Sequence, residues 1–120
     1  LKLLAEQVGP WAVSGPTRVI GRTCLLDTEG HVRQRQRSEE ASERLARLLE
    51  QFGFKPQGGC ALFQWLITDQ AEQLHEFMAR QGILLRLFPH NSSLRLGLPA
   101  DEADWTRLAQ AFEAYAKEAQ

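Results

Sequence analysis

Arg86 and Arg95 are the residues whose spacing points most directly to chemistry, because the sequence around them predicts a hairpin that sets two guanidinium groups side by side. Ile83-Leu84-Leu85-Arg86-Leu87-Phe88 and Ser93-Leu94-Arg95-Leu96-Gly97-Leu98 read as strands, joined by the turn-forming Pro89-His90-Asn91-Ser92. That loop length pairs Phe88 with Ser93 and Arg86 with Arg95. Alternation along each strand then puts Ile83, Leu85, Leu87, Leu94, Leu96 and Leu98 on one apolar face and Leu84, Arg86, Phe88, Ser93, Arg95 and Gly97 on the other. Like charges directly opposite each other destabilise a hairpin by a few tenths to roughly 1 kcal/mol unless an anion lies between them. The pair therefore reads as an anion site. The alternative is a solvated sheet face on which the two side chains never converge.

Other reactive residue types lack a constellation. His31, His75 and His90 are far apart, and none has a Cys, Asp or second His at metal-ligand spacing, so no zinc or iron site is expected. His75 falls on an exposed helix flank; His90, in the hairpin turn, is within reach of an anion held by the arginines or is simply solvated. Cys24 and Cys60 have apolar neighbours and are expected to pack rather than react. There is no nucleophile elbow, Walker loop or dinucleotide fingerprint, and Gly58-Gly59 is too short a signal for a phosphate cradle.

The elements that must position the arginines alternate between helix and strand. Leu1 to Val8 reads as the tail of a helix stopped by Gly9-Pro10, and Gly9 to Pro16 as a loop. Thr17 to Leu26 suits a short helix, and Asp27 or Thr28 caps a longer one to about Phe52, with Ala41, Leu45, Leu48, Leu49 and Phe52 on one stripe and Gly53 as its stop. Arg33, Arg35 and Arg37 fall on different sides of that helix, as a solvated surface does. Cys60 to Ile67 is an almost continuous apolar run, as expected of a central strand covered on both faces. Asp69 with Glu72 forms a capping box for a helix carrying Leu74, Phe77 and Met78 and ended by Gly82. After the hairpin, Asp101 to Asp104 cap a last helix striped by Trp105, Leu108, Ala109, Phe112, Tyr115 and Ala116. The expected fold is α+β: a three-stranded sheet with helices packed on one face, preceded by a long helix, with the arginine face open to a ligand or another domain.

Composition bounds what the arginines can recognise. The chain has 120 residues, 43% hydrophobic and 24% charged, which suits one small globular domain with a real core. Its formal net charge of -1 offers no general attraction to nucleic acid or to anionic membrane, so anion recognition has to be local. Eleven of the 14 basic residues are arginine, the better bidentate partner for carboxylate or phosphate. Two cysteines without a disulfide framework, no apolar run of the ~18 residues a membrane span needs and no signal-peptide pattern lead to the expectation of a cytoplasmic protein. A first residue other than methionine leads to the expectation that something precedes it.

Several of these segments resemble one known family. Gly82 to Phe88, then Ser93 to Pro99, then a helix with Trp105 and Leu108, resemble the C-terminal small domain of fold-type I pyridoxal-phosphate enzymes. Gly9 to Pro16 resembles the loop after the cofactor-lysine region, and Gly58 to Trp65 the first small-domain strand. Within the superfamily the chain is most similar to the threonine-phosphate decarboxylases of cobalamin biosynthesis, close relatives of the histidinol-phosphate aminotransferases. The resemblance implies that residues 1–30 are a remnant of the large domain's end and the interdomain segment, and that residues 31–120 are the small domain.

By resemblance, Arg95 matches the superfamily arginine that binds the substrate α-carboxylate, Arg86 matches a basic position facing the substrate phosphate, and Ser14 lies in a loop bordering the cofactor. The implied reaction uses pyridoxal phosphate as an electron sink while carbon dioxide leaves a phosphorylated amino acid, giving aminopropanol phosphate. The implied full-length enzyme is a homodimer. The family's Schiff-base lysine would lie upstream of this chain, and Lys2, Lys55 and Lys117 lack its Ser-x-x-Lys context, so the chain alone is expected to be inactive and to hold no catalytic residue. A phosphate-specific aminotransferase or a noncatalytic anion-binding module are the other readings the sequence leaves open.

Overall fold

A computed structural model of the chain describes Glu6 and residues 13–118. The expected helix over Leu1 to Val8, Glu6 apart, and the Gly9 to Ala12 part of the expected loop fall outside the described residues. Two compact units are distinguished, Leu1–Gln34 and Arg35–Gln120.

In the first unit, helix α1 spans Gly15–Leu26, two residues earlier than the sequence predicts. The Ser14 side chain accepts from the Thr17 amide at 3.3 Å and Pro16 occupies the first turn, so the end of the supposed loop is a cap and a helix start. Helix α2, Thr28–Gln51, begins in this unit with Asp27 Oδ1 accepting from the Gly30 amide at 2.8 Å. Cys24 is exposed, and its carbonyl meets His31 Nε2 at 2.9 Å.

The second unit holds the rest of α2, strands β1 (Gly58–Cys60) and β2 (Phe63–Ile67), helix α3 (Ala71–Arg80), strands β3 (Arg86–Phe88) and β4 (Ser93–Gly97), and helix α4 (Glu102–Glu118). The sheet has four antiparallel strands in the order β1-β2-β4-β3, one more than expected. The continuous apolar run beginning at Cys60 hides a hairpin: Cys60 pairs with Phe63 across Ala61-Leu62. Exposed Cys60 and 65%-exposed Leu62 show that neither packs as expected. Strand β2 is central but covered on one face, since Gln64 and Leu66 are buried while Ile67 is 48% exposed. The apolar run before Arg86 enters the ladder only at Arg86.

Helices α2, α3 and α4 bury that covered face. Leu45 and Leu49 from α2, Leu74 and Met78 from α3, and Trp105, Leu108, Phe112 and Tyr115 from α4 form one cluster with Leu66, Leu85, Leu94 and Leu96. Phe52 stacks on Phe112 at 5.5 Å between centroids. One buried polar tie joins α2 to the first hairpin: Gln64 Nε2 donates to the Ser42 carbonyl at 3.0 Å and to Ser42 Oγ at 2.7 Å, and that hydroxyl donates to the Cys60 carbonyl at 2.7 Å.

Helices α2 and α3 both stop at glycines in left-handed backbone, whereas α1 stops at Asp27. At Gly53 (φ 82°) and Gly82 (φ 72°), the following amide returns to a carbonyl five residues back, Phe54 to Leu49 at 3.0 Å and Ile83 to Met78 at 2.8 Å. The expected Asp69–Glu72 capping box is not formed. Instead α3 starts at Ala71 beneath a turn in which Thr68 Oγ1 accepts from the Gln70 amide at 3.3 Å, leaving Asp69 outside the capping position. The Asp101 cap forms as expected, accepting from the Asp104 amide at 2.9 Å.

Candidate functional site: a cross-strand arginine pair

Arg86 and Arg95 are register partners on β3 and β4, with Leu87 opposite Leu94 and Phe88 opposite Ser93, as the loop length predicts. The Pro89–Asn91 segment tightens into a 3-10 turn, and Ser92 adopts φ 47° to bring the chain into β4. The Ser92 carbonyl also accepts from the Thr68 amide at 3.0 Å, tying the turn to the end of β2. Leu85, Leu94 and Leu96 are buried on the helix side, whereas Arg86 and Arg95 are exposed on the opposite side.

The register extends the arginine row across the sheet. Trp65 on β2 is opposite Arg95, and Gly58 on β1 is opposite Trp65. Aromatic residues fill the neighbouring positions: Trp65 and Phe88 rings lie 4.8 Å apart, Arg86 is over Phe88 at 5.6 Å, and Arg95 is over Phe63 at 5.4 Å. Among the described residues neither guanidinium makes an ion pair or hydrogen bond, while Arg33, Arg44, Arg47 and Arg80 all hold carboxylates. Two uncompensated cations on adjacent strands leave free N–H donors of the kind that recognise carboxylate or phosphate.

The sequence reading missed Phe63 and Trp65 as part of this face. Their signal was the period-two alternation Phe63, Trp65, Ile67, masked by Leu66 between them and by Cys60 to Leu62 before them. Exposed His90 lies edge-on to Phe88 with centroids 6.2 Å apart, next to the arginines but without a polar partner there. His75, expected on an exposed flank, is half-buried, and its Nδ1 is buried without a hydrogen bond. Ser14 is spent on its cap and on a 2.8 Å bond to Thr17 Oγ1. No cluster of metal-ligating side chains occurs among the described residues, and none of their helices is long and apolar enough to cross a membrane.

The architecture of the chain matches that of a solved protein of aminotransferase fold. A solved candidate aminotransferase from Burkholderia pseudomallei superposes with a TM-score of 0.58 at 21% identity, over 73% of this chain and 27% of the other. A threonine-phosphate decarboxylase from Pseudomonas aeruginosa is 48% identical over 112 residues, 93% of this chain and 34% of that protein. A second protein of that name, from Sinorhizobium, is 33% identical over 117 residues, again 93% of this chain and 33% of the relative. No family model matches the chain. The chain is thus similar in sequence to two threonine-phosphate decarboxylases and spans about one third of the length of the curated relatives it matches.

Proposed function

We propose that this chain is the substrate-anion-holding, C-terminal part of a pyridoxal-phosphate-dependent L-threonine-O-3-phosphate decarboxylase that makes aminopropanol phosphate for cobalamin biosynthesis. The observation that carries this reading is the Arg86–Arg95 register pair, exposed and without a counter-ion among the described residues. In this role Arg95 holds the α-carboxylate by a bidentate contact and Arg86 faces the side-chain phosphate. The 48% identity to a protein of that name supports the choice of substrate.

Ser14, in the loop that by resemblance borders the cofactor, is the described residue proposed to face it. Lys55 and Lys117 are exposed, and the Ser14 hydroxyl is engaged as a helix cap. No chemical step is therefore assigned to this chain; its part is to bind and orient the substrate anions. Residues 1–30 are proposed as the interdomain portion and residues 31–120 as the small domain of a cytoplasmic homodimer.

The test is substrate profiling of the full-length protein. Carbon dioxide release from threonine phosphate, without accumulation of a keto acid, supports decarboxylation. Amino transfer to a keto acid acceptor instead supports the sibling aminotransferase reading, since the fold does not decide between the two.

A further inference from the structure

The two arginines are held in place without being neutralised. Arg95 is over Phe63, Arg86 is over Phe88, and the Trp65 ring closes against Phe88 at 4.8 Å and 49° between planes. A carboxylate partner would occupy the guanidinium N–H edge, whereas a ring face attracts the cation and leaves those donors free. Gly97, the register partner of Phe63, adds no side chain beside that ring, and a Cβ there would meet nothing within 4 Å. Ser93, the register partner of Phe88, is fully buried and spends its hydroxyl on Asn91 Oδ1 at 2.6 Å, so it does not compete for the Arg86 donors.

We propose that Phe63 and Phe88 are positioning residues for the anion site, each ring seating one guanidinium group with its N–H donors uncommitted. The proposal rests on the reading of Arg86 and Arg95 as an anion site and adds what orients them. Ordering the two long side chains beforehand removes part of the entropy that binding would otherwise cost.

The test is titration of the full chain with pyrophosphate, followed through the Nε–H signals of Arg86 and Arg95 in nuclear magnetic resonance spectra. Phe63→Leu and Phe88→Leu should each weaken pyrophosphate binding about two- to fivefold and abolish the ring-current shift of the arginine above the altered residue. Phe63→Tyr and Phe88→Tyr keep a ring face and should retain both affinity and shift. If either leucine protein does not fold, the methionine variant at that position keeps most of the volume without the ring face and carries the same expectation. Leucine or methionine variants that bind as wild type would overturn the proposal, as would tyrosine variants as weak as the leucine ones. The doubly substituted Arg86→Gln, Arg95→Gln chain separates the two ideas. Binding lost there but unchanged in the phenylalanine variants removes only the positioning role; binding retained there removes the anion site and the proposal with it.

Discussion

Gly53 and Gly82 both lie in left-handed backbone one residue beyond a helix cap, yet alanine should not cost the same at the two positions. At either site the backbone alone costs about 1–2 kcal/mol. A Cβ at Gly53 meets nothing within 4 Å, whereas at Gly82 it lies 2.7 Å from Arg107 Nη2. That nitrogen donates to the Gln81 and Gly82 carbonyls at 2.9 and 3.0 Å, so moving it also removes contacts at the end of α3. Denaturant melts should therefore rank Gly82→Ala below Gly53→Ala in stability. At the arginine pair the readout is kinetic and needs the full-length protein. Each of Arg95→Ala and Arg86→Ala should lose ~1.5 to 3 kcal/mol of transition-state binding, roughly tenfold to a hundredfold in kcat/KM on threonine phosphate. Only Arg86→Ala should erode the preference for phosphorylated over unphosphorylated threonine. Equal loss on both substrates would assign Arg86 a structural rather than a phosphate-facing role.

Between elements, the Arg44–Glu102 pair joins α2 to the first turn of α4. Its two hydrogen bonds are 2.5 and 2.8 Å, and Arg44 also lies 4.3 Å from the Trp105 ring centroid. The hydrogen bond from Arg44 holds the Glu102 carboxyl below its ordinary range. A lowered folded pKa contributes stability that is present above the ordinary carboxylate range and is lost as pH falls through the folded value. Wild type should consequently be more stable than Glu102→Gln near neutrality, with the difference shrinking on acidification. Tyr115 has the opposite sign. Burial, followed by the charge of Asp69, raises its pKa, and its hydroxyl donates to Gln70 Oε1 at 3.0 Å between α4 and the start of α3. Its contribution is complete below the ordinary tyrosine range and disappears as pH rises through the raised folded value. Replacing Tyr115 with Phe should therefore flatten the alkaline limb of a stability-against-pH curve.

For the molecule as a whole, the division of labour is the testable idea. This chain supplies paired cations on an open sheet face, while its two described lysines, Lys55 and Lys117, are exposed on the surface. Titration of the chain with pyridoxal phosphate, followed by borohydride reduction and peptide mapping, should label no single lysine stoichiometrically. Specific labelling of one lysine at low cofactor concentration would overturn the view that the chain's contribution is confined to the substrate anions.

The arginine register was legible in the sequence because it depends on local quantities: a loop length, a period of two and the charge types at two positions. Both glycine stops and the Asp101 cap were legible for the same reason, since each is settled by residues within one turn. The fourth strand was not. Cys60 to Ile67 is apolar at nearly every position, so periodicity cannot show that Ala61 and Leu62 form a turn; pairing of Gly58–Cys60 with Phe63–Trp65 decides it. The capping box failed because Thr68 at the end of β2 takes over the turn before α3. Phe88 shares the face of Arg86 by local alternation, two residues along one strand, whereas Phe63 acquires its place beside Arg95 only from the register of β2 on β4, a relation between residues 32 positions apart that no local pattern encodes.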